Sequence, residues 1–115
     1  MTTKVTTGVV KPDLNTQTGT SYTLILGDNL RTVTMNNASA NVLTIPTNAS
    51  VAFTSTETRV DCGMLGAGVT SITASGGVTL NGVSAGSVDL AQYGACSLYK
   101  IDTDAWWFVG SGTVA

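Results

Sequence analysis

Apolar and polar residues alternate along most of this chain in short runs closed by glycine or asparagine. Tyr22–Leu26, Arg31–Met35, Val42–Ile45, Val51–Phe53, Val69–Thr73, Val78–Leu80, Cys96–Ile101 and Trp106–Val109 are rich in β-branched and aromatic residues, and each reads as a strand. Gly27-Asp28-Asn29, Asn36-Asn37 and Ser75-Gly76-Gly77 supply turn chemistry between them. Gly27 to Leu30 predicts a hairpin joining the first two runs, and Pro46, which has no N–H to give a ladder, marks the end of the third. The glycine-dense stretch Cys62 to Gly68 predicts a tight bend, and Gly82 to Gly86 a link between two strands. Ser87 to Tyr93 is open between a helical turn, a strand and a loop. The expected fold is all-β: a small antiparallel β-sandwich or barrel-like module.

The first twenty residues differ. They are threonine-rich, broken by Gly8, Pro12 and Gly19, and have too few apolar positions for a core-forming helix. They read as an extended N-terminal arm over residues 1–20, with the β domain over 21–115. Val5, Val9 and Val10 are the arm's residues for burial against a partner. In the last hairpin, alternation sends Trp106 and Phe108 to one face and Trp107 and Val109 to the other. One tryptophan seals the core and the other is left for a subunit or host-protein contact, so Trp106 and Trp107 join the candidate protein-interface residues.

Composition strengthens the expectation of a partner. At 115 residues the chain is one domain, able to bury about 65% of its unfolded surface. Hydrophobic residues make up 43% and charged residues only 10%, against about 25% charged in ordinary soluble domains. A surface so poor in charge predicts self-association or docking on a larger assembly. The net charge is −2 and the five basic residues are scattered, so phosphate-driven nucleic-acid binding has no footprint. No apolar run approaches the ~18 residues of a membrane span, and the start lacks the apolar core of a secretory signal. Assembly in a cytosol follows as the expectation.

Candidate chemistry is sparse. With no histidine, the usual general base and metal ligand are missing. Cys62 and Cys96 cannot alone close a zinc site, and they read as buried free thiols, with a bridge between strands as the alternative. The glycine-rich middle lacks the Lys-Ser/Thr and following helix of a phosphate loop. Glu57 and Asp61 on one strand face would stand about 13 Å apart, too far for a glycosidase pair. Asp102-Thr103-Asp104 lacks the glycine and distal glutamate of a calcium loop and reads as turn chemistry. The expectation is a non-enzyme with no cofactor and no metal.

The series Tyr22-Thr-Leu-Ile-Leu, Val33-Thr-Met-Asn-Asn, Leu43-Thr-Ile-Pro, Val51-Ala-Phe53, Gly66-Ala-Gly-Val-Thr, Gly77-Val-Thr-Leu-Asn-Gly82, Tyr93 and Leu98-Tyr-Lys-Ile, followed by Trp107 and Gly110, resembles a β module of tailed bacteriophages. Such modules occur in tail-fibre, head-fibre and capsid decoration proteins, and the likeness covers most of residues 20–110. It implies a virion structural protein, commonly trimeric, and carries no active-site residues. A module with an arm suits a trimeric capsid decoration (cement) protein on the outer capsid surface, with copies of itself and the major capsid protein, or another virion protein, as partners. The alternative is a receptor- or glycan-binding module of a tail fibre, head fibre or tail tip.

Overall fold

The computed structural model describes residues 13–115; Val5, Val9 and Val10 lie outside them. Among the described residues, regular secondary structure is almost all strand, with long loops between the strands. The strands are β1 (Leu14–Gln17), β2 (Ser21–Thr23), β3 (Thr32–Met35), β4 (Asn41–Ile45), β5 (Arg59–Met64), β6 (Thr70–Ala74), β7 (Thr79–Leu80), β8 (Val83–Ser84), β9 (Ser87–Leu90), β10 (Ala95–Asp102) and β11 (Ala105–Gly110). They form a seven-stranded sheet ordered β1-β3-β5-β10-β11-β7-β8 and a four-stranded sheet ordered β2-β4-β6-β9.

The all-β expectation holds, but the pairing is mixed and not simply antiparallel. From β1 to β6 the chain alternates between the two sheets, and every neighbour in that stretch is parallel: β1 to β3 to β5, and β2 to β4 to β6. Three successive passes therefore stack as rungs, in the manner of a short parallel β-solenoid. Val33 lies between Asn15 and Cys62, and Leu43 between Tyr22 and Ile72. The last third is mostly antiparallel, with β9 on β6, β10 on β5, β8 on β7 and the β10–β11 hairpin as expected, while β11 runs parallel to β7. The C-terminal residue closes the β9 edge, where Ala115 and Ser87 exchange backbone hydrogen bonds of 3.0 Å.

Several expected boundaries shift for a common reason. Gly27 to Leu30 joins strands of different sheets, and Leu26–Asp28 is a 3-10 turn, not a hairpin tip. Its Asp28 is fully buried and accepts hydrogen bonds from Asn15 Nδ2 (2.8 Å), Tyr22 Oη (2.7 Å) and the Ile25 N–H (2.9 Å). That inward pull turns the loop under the first rung. Within the stretch expected as an arm, Leu14–Gln17 is a strand of the large sheet, paired with β3. Val51 to Phe53 forms no strand; Phe53 instead plugs the core at 4% exposure. Cys62 to Met64 belongs to β5, so the bend begins only at Leu65.

Both sheets send their buried side chains into one cluster, including Val33, Met35, Val60 and Met64 from the large sheet and Leu43, Ile45 and Ile72 from the small one. The first rung places Asn15, Gln17 and Tyr22 in register with Val33, Met35 and Leu43 of the second. Asn15 and Tyr22 satisfy Asp28, while Gln17 donates to Asn15 Oδ1 at 2.8 Å. A polar first rung closes the apolar stack with its donors and acceptors paired to one another.

This cap makes a pH prediction. Burial first, and then the hydrogen bond and charge of Asp28, push the Tyr22 phenol from 10.0 up to about 12. A raised phenol favours the folded state fully below its ordinary pKa, and the benefit disappears as pH climbs through the folded value. An alkaline absorbance titration is expected to show a tyrosine ionisation at about pH 12 that Tyr22→Phe removes. A titration of the folded protein without that late step, or one in which Tyr22→Phe leaves it in place, contradicts this.

Candidate interaction surfaces

Trp106 and Trp107 part company as the alternation requires. Trp106 is 1% exposed and meets Phe53 edge-on, with ring centroids 5.4 Å apart. Its side chain is taken up by the core of this chain, which corrects its place beside Trp107 as a residue left open to a partner. Trp107 is 51% exposed. On the outer face of the large sheet, Arg59, Tyr99 and Trp107 stand side by side across β5, β10 and β11. The Tyr99 and Trp107 rings are 5.2 Å apart, tilted by 35°, and the Arg59 guanidinium lies 5.7 Å from the Tyr99 centroid. Sequence spacing identified Trp107, but nothing local placed Tyr99 and Arg59 beside it.

Arg59 is fixed on its other side by Asp61, through Nε at 3.0 Å and Nη2 at 3.2 Å, and Ser97 Oγ donates to the same carboxylate at 2.6 Å. The hydrogen bond to Asp61, and then its charge, raise the guanidinium pKa further. Asp61 is therefore an orienting partner here, with Glu57 in the wall of the adjoining depression. That depression, about 430 Å³, is bounded by Arg59, Tyr99, Ile101 and Trp107. Its lip carries Thr56 at φ 65°, a left-handed backbone unusual for a β-branched residue, secured by its N–H to the Lys100 carbonyl at 3.0 Å.

Lys100 itself points inward and is 2% exposed. Its ammonium donates to Asn48 Oδ1 at 2.6 Å and to the Phe53 carbonyl at 2.8 Å, which ties the loop after β4 beneath the hairpin. Asp102 accepts the Thr103 N–H of its own turn at 2.8 Å, while Asp104 accepts the Asn48 N–H at 2.8 Å and ties the turn to the loop after β4.

Cys62 and Cys96 face each other across β5 and β10 as buried free thiols. The hydrogen bond with Cys96, followed by burial, pushes the Cys62 thiol well up, the opposite of what a reactive thiolate needs. Among the described residues, no group of three or more His, Cys, Asp or Glu could hold a metal ion, and no helix is long and apolar enough to cross a membrane.

A second exposed region lies about the β1 edge of the large sheet and the loop before β3. Leu14 is 55% exposed at the start of β1, and Ile25, Leu26 and Leu30 of the adjoining loop are 52%, 59% and 52% exposed. Leu30 holds φ 64°, with its N–H on the Arg59 carbonyl at 2.7 Å. A bulky aliphatic residue is kept in a strained conformation with its side chain in water. The sequence reading assigned Ile25 and Leu26 to a strand and missed this surface, because the buried Asp28 that turns the loop is visible only in three dimensions. Comparison of the chain with protein-family models, curated proteins and solved structures found no match.

Proposed function

We propose that this chain is a structural subunit of a bacteriophage virion: a capsid decoration protein that forms a homotrimer and seats on the major capsid protein at the outer surface of the shell. The observation that carries the reading is the solvent-exposed aliphatic edge of Leu14, Ile25, Leu26 and Leu30. Exposed aliphatic side chains are costly in water and are relieved when a partner surface covers them. The polar rung beneath it is internally satisfied, so the edge is stable while it waits for that partner. The low charge content and the resemblance to phage β modules point the same way.

Light scattering on the purified chain is expected to give the mass of a trimer, and sedimentation with capsids of the parent phage is expected to carry it down. Leu26→Asp places a charge in the centre of the edge and is expected to weaken capsid binding about tenfold or more while leaving the melting temperature close to wild type. A wild-type chain that stays in the supernatant, or a Leu26→Asp variant that sediments unchanged, contradicts the proposal.

A further inference from the structure

We infer that the outer face of the large sheet binds a neutral saccharide chain in a shallow groove, with Tyr99 and Trp107 as the stacking platform and the Arg59–Asp61–Ser97 group as the hydroxyl-recognising element. Two depressions adjoin on this face, about 430 Å³ beside Trp107 and about 470 Å³ beside Val109, and Arg59 lines both. Each falls in the range of small-ligand sites, roughly 300–1,000 Å³. The second is low because Gly63 and Ala95, paired across β5 and β10, form its floor. Trp107 and Val109 project from the same side of β11, about 7 Å apart, so the groove extends along and across the sheet.

The chemistry of the groove selects its occupant. The half-exposed indole offers a negative π face to the polarised C–H face of a pyranose ring. Beside it, Arg59 spends two of its five N–H donors on Asp61 and keeps three, while Asp61 and the Ser97 oxygen retain acceptor capacity. Adjacent donors and acceptors on a fixed fork match the vicinal hydroxyls of a sugar.

A cationic ligand is disfavoured because Arg59 already lies over the Tyr99 ring. An anionic one meets Asp61 and Glu57, with Arg59 the exposed cation among them. A protein partner would have to cover the Asp61 carboxylate at the middle of the groove, and aspartate is depleted at interface centres even though Tyr, Trp and Arg are enriched there. The left-handed Thr56 at the lip is a strained residue beside the groove. The inference does not rest on capsid docking: the Arg59 carbonyl accepts the Leu30 N–H of the docking edge, but Leu14 and Val109 stand in the same row of the sheet four strand spacings, or about 19 Å, apart.

Native gels containing soluble dextran, mannan, galactan or, as charged controls, alginate and chitosan test this with the intact chain. Retardation by at least one neutral polymer is expected, weakened about tenfold or more in Trp107→Ala and in Asp61→Asn and partly recovered in Trp107→Phe. Circular dichroism melts confirm that each variant is folded. Retardation by no neutral polymer, by the charged polymers alone, or to an equal degree in Trp107→Ala overturns the inference. So does self-association of the wild type that Trp107→Ala abolishes, which would make the face an interface between copies.

Discussion

Replacing Trp106 with alanine is expected to destabilise the domain by about 3–5 kcal/mol, the cost of removing a large aromatic side chain from a closed core. Trp106 is 1% exposed, meets Phe53 in an edge-to-face pair, and pairs with Leu80 of β7 and Lys100 of β10 on either side. Those neighbours belong to separate chain segments, so they cannot collapse together into the space it leaves. A domain of this size has about 6–17 kcal/mol of total stability, and the loss takes a large part of it. The adjacent Trp107→Ala serves as the control, because a half-exposed ring on the outer face is worth far less to folding. Urea titrations of the two variants are expected to give a strongly lowered midpoint for the first and a nearly unchanged one for the second. Similar midpoints would contradict the assigned faces of β11.

Gly68→Ala is expected to cost at least the about 1–3 kcal/mol of an overpacked site, and Gly66→Ala a comparable amount. A β-carbon on Gly68 would meet the Ser39 carbonyl oxygen and lie 2.6 Å from its carbon; one on Gly66 would meet the Asn37 N–H nitrogen and lie 2.6 Å from the Asn37 oxygen. These contacts are with backbone, which cannot swing aside as a side chain does. The close approach follows from rung stacking. Leu65 donates to Met35, Gly68 to Asn37 and Asn41 to Val69, which binds the turn of one rung against the turn of the next. Gly76→Ala is the matched control, since nothing lies within 4 Å of its added carbon. Equal melting temperatures for Gly68→Ala and Gly76→Ala would show that the turns do not stack as described.

The glycines of this stretch illustrate how far local reading reaches. The absence of a phosphate-loop context correctly assigns Gly66 and Gly68 to a bend, yet the neighbour they make room for is a turn nearly thirty residues earlier. In the same way, alternation in the last hairpin places Trp106 and Phe108 inward and Trp107 and Val109 outward, as found. The same alternation in Tyr22 to Leu26 fails, because the carboxylate of Asp28 recruits Asn15 and Tyr22 and turns the chain before the run is complete. A buried acid held by distant partners leaves no periodic trace.

By itself the sequence determined that this chain is β-rich, which face of each clear strand is apolar, that the hairpin ends in an aromatic anchor, and that its surface is short of charge. Those properties follow from side-chain period and composition, which are local. Only the tertiary structure decided that consecutive strands leave for opposite sheets and return in parallel, that a polar rung caps the stack, and that Arg59, Tyr99 and Trp107 share one groove. Strand alternation fixes which face is buried but not which strand lies alongside. That choice is made by long-range backbone pairing and by buried polar groups such as Asp28 and Lys100, whose partners are remote in the chain.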